Sequence, residues 1–148
     1  MVSEMINREA AALTAVFSLL IAASAKAAPA PSCDQALQNA RSLAAKITAD
    51  ANAYFGHRKN FIDFVFGPLR NARNARQLAE NERLNADPLR QNMPNNLANF
   101  QAALETLRAQ NCLPEAALRD IEEPATKWGR RTVLGQFPTE TETERPSK

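Results

Sequence analysis

Apolar residues recur along this chain at three- and four-residue steps in several separate stretches, the pattern of helices that each bury one stripe. The first stripe is Cys33, Leu37, Ala40, Ala44, Ile47, Ala51 and Tyr54. Just ahead of it, Ser32-Cys33-Asp34-Gln35 has the form of a capping box: the Ser32 side chain accepts from the Gln35 amide, and Asp34 favours the positive end of the helix dipole. A helix is therefore predicted to begin at Cys33. Gly56 weakens it, so a bend around 56–60 or a short separate helix over 60–66 is expected. Phe61, Ile62, Phe64, Val65 and Phe66 then make the most hydrophobic stretch beyond the N-terminal region, and Gly67-Pro68 is the sharpest break in the chain.

A second helix is predicted from Pro68, where a missing amide costs nothing, to about Ala86, with Leu69, Ala72, Ala75, Leu78 and Ala79 inward. Asp87-Pro88 and Met93-Pro94 bracket an expected irregular piece. Leu97, Phe100, Leu104 and Leu107 mark a further helix ending near Asn111. Pro114 opens a last one, whose Ala117, Leu118, Ile121, Ala125 and Trp128 continue a stripe through Pro124, where a kink is expected. The fold class that follows is all-α, a disulfide-stapled helical hairpin or up-down bundle of about four helices. Four glycines, few β-branched residues and a surplus of Ala, Leu, Asn, Gln, Glu and Arg favour the same class.

The N-terminal region has a different pattern. Residues Ala10 to Ala25 form an uncharged apolar run, followed at Ala25-Lys26-Ala27 by the small-x-small pattern that signal peptidases cut after. The run is shorter than the roughly 20 apolar residues of a spanning helix, which favours a cleaved leader over an anchor. The organisation read from the chain is a cleaved secretory signal over 1–27, a helical domain over 28–137 and a disordered polar tail over 138–148. Glu4 and Glu9 fit a signal's basic N-terminal region poorly, and a start at Met5 in place of Met1 removes one of them. No stable membrane span is expected after cleavage, and the expected address is periplasmic or secreted. About 121 residues remain from Ala28 onward, enough for one modest core and not for two.

An exported chain with two cysteines allows one intramolecular pairing, Cys33 with Cys112. Lipidation of Cys33 is the competing use, but Ala30-Pro31-Ser32 matches that signal poorly and Cys112 would be left as an odd thiol. The bridge closes a span of 79 residues. It also requires the start of the first helix to lie beside the end of the one closing at Asn111. One arm must go out to a tip at Gly67-Pro68 and another must return.

Charge and candidate chemistry narrow the function more than they define it. Removing residues 1–27 takes away two basic and two acidic residues, which leaves the net charge at +2. Such a balance gives no push toward nucleic acid, which rewards many neutralised phosphates. His57 is the single histidine; no ligand-type spacing of His or Cys is present, so neither a metal nor a cofactor is implied. Nucleophilic catalysis would have to route through His57, in the solvated-loop context of GHRKN. Glu80 with Glu82, and Glu122 with Glu123, sit at spacings that diverge on a helix and form no shared acid-base pair. No catalytic residue is assigned, and a non-enzymatic protein is expected, with a protein or envelope partner and no nucleic acid. A structural or secretion-accessory envelope factor is the second reading.

One charge feature has shape. Arg70, Arg73 and Arg76 recur at three-residue steps, with His57, Arg58 and Lys59 in reach of the same tip. From Arg58 to Arg76 five basic residues face one acid, Asp63. Two readings stand: an anion-facing patch made amphipathic by the adjoining FIDFVF run, or an ordinary solvated face whose phenylalanines belong to the core. Aromatic runs are usually buried, which favours the second.

Overall fold

The computed structural model describes residues 30–137, and the predicted leader (1–27) and polar tail (138–148) lie outside them. The described residues form three helices, α1 (Cys33–Val65), α2 (Ala75–Ala109) and α3 (Glu115–Leu134), with no strand among them. The capping box that predicts the start of α1 is formed. The Gln35 amide donates to Ser32 Oγ at 3.3 Å, and the Ser32 amide donates to Gln35 Oε1 at 3.1 Å.

Cys33 and Cys112 are joined, their Cα atoms 5.4 Å apart. The local cause lies at the end of α2. Asn111 takes a left-handed φ of 52°, and the Cys112 amide donates back to the Leu107 carbonyl at 3.0 Å. This turn caps the last carbonyls of α2 and swings Cys112 back toward the first residue of α1. From the bridge the two arms run antiparallel. Asn96 Nδ2 donates to Asp50 Oδ2 at 3.0 Å part way along, and His57 Nδ1 meets Glu82 Oε2 at 2.7 Å farther out.

The helix count is three where about four were expected, because both arms are continuous. α1 passes through Gly56 without interruption: the glycine is on the exposed side, while Tyr54 and Phe55 beside it are buried. α2 passes through both Pro88 and Pro94. Each proline removes one bond, to the carbonyls of Leu84 and Arg90, and all four of these residues are exposed, so water can satisfy what is lost. Between and around them Ala79, Ala86, Met93, Phe100 and Leu107 are buried at steps of seven, and that seam against α1 outweighs the local cost of the prolines.

The opposite correction applies after Gly67. No helix begins at Pro68. Residues 66–74 make successive tight turns, with the Arg70 amide donating to the Gly67 carbonyl and the Ala72 amide to the Leu69 carbonyl. Asn74 then adopts φ 66° and α2 starts at Ala75. Leu69, Ala72 and Leu78, expected inward, are exposed; with nothing to pack against, an amphipathic helix gains no burial there.

α3 follows directly on Pro114, its N-cap, and continues through Pro124, returning from the bridge along the groove of the hairpin. Arg108 on α2 donates to Glu122 on α3 at 2.6 Å, and Arg90 Nε donates to the Val133 carbonyl at 3.0 Å. The helices approach tightly at Gly129, where a Cβ would lie 2.6 Å from Leu97 Cδ2 and 3.2 Å from Ile47 Cγ2. The helix ends on Gly135, at φ 67°, against the Tyr54 hydroxyl.

The core is therefore graded along the hairpin. Where three helices meet, it is made of Ile47, Met93, Phe100, Leu104, Leu107 and Leu118, all fully buried, each worth about 1.5–3 kcal/mol of burial. Beyond the reach of α3 only two helices face each other, and their buried contacts shrink to residues such as Ala75 and Ala79. A pair of helices cannot cover bulky side chains on all sides, and this decides what happens at the tip.

Candidate functional site at the hairpin tip

The FIDFVF run closes α1 on the two-helix part of the molecule. It is not core. Phe66 is 74% exposed, Leu69 44%, Val65 38% and Ile62 36%, while Phe61 and Phe64 are half-buried. Ile62 lies three residues before Val65 and four before Phe66 at the end of α1, and Leu69 follows in the turn, so an exposed apolar stripe runs off the end of the helix. The expectation that the phenylalanines fill the core fails because α3 ends at Leu134, beside Tyr54 and Phe55, before it can cover them.

The turn itself is built by Gly67. A Cβ there would stand 2.8 Å from Asp63 Cα and 3.1 Å from the Asp63 carbonyl oxygen, so only glycine lets the chain fold back so tightly over the last turn of α1. The Leu69 amide then donates to the same Asp63 carbonyl at 3.1 Å.

Around the stripe lie the six basic and histidine positions singled out by sequence, and they divide into two groups. His57 is half-buried on α1, not in a loop, and is held by Glu82 across the arms. Arg58 lies with its guanidinium carbon 5.4 Å from the centroid of the Phe61 ring, its Nε buried without a hydrogen-bond partner. Lys59 pairs with Asp63 at 3.2 Å. These three brace or cover the arm. Arg70, Arg73 and Arg76 differ: all three are exposed, they follow the apolar stripe directly, and no acid pairs with them among the described residues. The one acid of the segment, Asp63, is already engaged by Lys59.

Of the four carboxylates that sequence set in close pairs, Glu80, Glu82 and Glu122 are engaged by basic or histidine side chains. Glu80 and Glu82 diverge, the first to Arg83 and the second to His57. The hydrogen bonds from Arg83 hold the Glu80 carboxyl below its ordinary value. Glu122 is taken by Arg108, whose own proton is held more tightly by the bonds to Glu122 and Glu115. Among the described residues no group of three His, Cys, Asp or Glu is placed to hold a metal, and both sulfurs are in the bridge. A shallow groove between the arms is lined by Asn39, Leu43, Asn99, Ala102, Ala103 and Thr106, none of which titrates in the usual range.

Sequence reasoning did not find the His57–Glu82 pairing, and the bridge alone does not give its register. Counting outward from Cys33 and Cys112 along two antiparallel arms sets Asp50 close to its partner Asn96, but it sets His57 opposite Pro88, several residues short of Glu82. Compared with protein-family models, curated proteins and solved structures, the chain matches none.

Proposed function

We propose that this chain acts outside the cytoplasm as a non-enzymatic contact protein whose working surface is the hairpin tip. The observation that carries the reading is the exposed apolar side chains of Ile62, Val65, Phe66 and Leu69 followed directly by three arginines with which no acid pairs among the described residues. Exposed apolar side chains concentrated at one end of a small domain are a liability unless something covers them, and such patches mark interaction surfaces. The extracytoplasmic address is supported by the leader pattern over 1–27 and by the bridge between Cys33 and Cys112. No helix among the described residues is long and apolar enough to cross a membrane. The non-enzymatic reading is supported by the contacts that already engage the candidate acid-base groups: His57 meets Glu82, Arg83 holds Glu80 and Arg108 holds Glu122.

The test is site-specific photo-crosslinking in the producing cell, with the probe at Leu69 and, as control, at Gln38, which is exposed near the bridged end of α1. Adducts are expected from Leu69 and not from Gln38, on protein recovered outside the cytoplasm with its N-terminus at Ala28. Adducts from Gln38 alone, or a cytoplasmic chain that keeps its leader, would refute the reading.

A further inference from the structure

The tip joins two chemistries that are usually kept apart on a protein surface. Phe66 and Leu69 project apolar surface from a convex turn, and Arg70, Arg73 and Arg76 follow them within a single short segment. The charge is also unevenly placed. Residues 58–76 hold five of the basic side chains and one acid, a net +4, while the rest of the chain is net −2. A negatively charged surface therefore attracts this segment more than the rest of the chain.

We infer that the tip docks on a bilayer surface bearing anionic phospholipid headgroups, with Phe66 and Leu69 entering the boundary between headgroups and acyl chains and the three arginines on the phosphates. The inference rests on the reading of the tip as the contact surface and names what it touches. Guanidinium groups bind phosphate oxygens in a two-point geometry, and an apolar residue beside them gains only where a phosphate layer borders an apolar one. A nucleic acid supplies the first layer without the second. A second copy of this chain is disfavoured, because two tips of the same charge repel. Each arginine near such a surface raises partitioning about fivefold, so the three together are worth about a hundredfold, and insertion of Phe66 adds about tenfold more.

Vesicle flotation tests this with the full chain and two variants, R70S/R73S/R76S and F66S/L69S. All five positions are exposed, so an unchanged unfolding midpoint is expected and confirms that each variant is folded. The probes are vesicles of phosphatidylcholine alone and of phosphatidylcholine mixed with phosphatidylglycerol. Binding is expected to the mixed vesicles only, weakened by salt, reduced about a hundredfold by the arginine changes and about tenfold or more by the apolar ones. Because wild type and variants carry the same N-terminal region, binding driven by that region would survive in both variants and would overturn the inference. Equal binding to both vesicle types would overturn it too. Loss of vesicle binding with persistent crosslinks from Leu69 to a protein would replace lipid by an acidic partner and leave the contact reading standing. Crosslinks between two tips would assign the surface to a second copy. Loss of both signals would remove the inference and the reading beneath it.

Discussion

Replacing both cysteines by alanine is the perturbation whose size follows most directly from this architecture. The bridge ties residues 79 apart, and the chain-entropy relation gives about 4.5 kcal/mol for a loop of that length. Little of the effect comes from the folded side, since Cys33 is exposed and Cys112 only half-buried, so the two sulfurs contribute little packing. The loss is comparable with the whole stability of a small domain, about 5–15 kcal/mol. For a domain of this size it corresponds to a fall of roughly 20 °C in Tm. Urea unfolding of the C33A/C112A variant is the assay. Trp128 is the single tryptophan, and its ring lies 6.1 Å from that of Phe55, so its fluorescence reports the junction of α3 with α1. Far-UV dichroism reports the helices as a whole, and the two curves should coincide if unfolding is two-state. A loss of under about 1 kcal/mol would refute the reasoning, because it would mean that the open chain already holds its arms together without the bridge.

The same change, Gly to Ala, should act with opposite sign at two places. At Gly56 a Cβ meets nothing within 4 Å on the exposed side of α1, and G56A should stabilise by about 1 kcal/mol through helix propensity. At Gly129 the Cβ lands on Leu97 and Ile47, and G129A should destabilise by about 1 kcal/mol net, the crowding exceeding the propensity gain; denaturant midpoints that shift in the same direction would contradict the packing described. The third expectation concerns pH. Arg83 donates to Glu80 at 2.6 and 2.9 Å and holds its carboxyl below the ordinary value of 4.5, so the pair's contribution is present above that value and lost as pH falls through the folded one. R83Q, which also removes the Arg83 bond to Asp87 at 2.6 Å, should therefore be less stable than the parent at neutral pH and low salt, with the gap closing in acid; a gap that persists unchanged in acid would rule out these carboxylate contacts as its source.

Much of the fold was legible where the cause is local or covalent. The Ser32–Gln35 box starts α1 as its residues require, and the two cysteines force an out-and-back path whatever the helices do. The interior of α2 was not legible, because proline carries a fixed local penalty while the seam through Ala86, Met93 and Phe100 that overrides it exists only once α1 is in place. The same holds at Pro68, where the local signal favours a helix start and the missing partner decides against it. At the candidate site the three-residue spacing of Arg70, Arg73 and Arg76 was visible in the chain. The exposure of Phe66 was not, since it depends on where a helix seventy residues away in sequence stops, and Leu134 gives no hint of that.

The short reach of α3 divides the molecule into a thick base and a slender mast. Amide exchange should grow faster from Met93 toward Ala75, because the outer turns of the mast fully bury only alanines of α2 and can open, breaking the His57–Glu82 contact, while the base stays shut. A mast of this kind can lose or gain matched turns in its two limbs without any rearrangement at its foot, so how far the head stands from the base is set independently of what keeps the base folded.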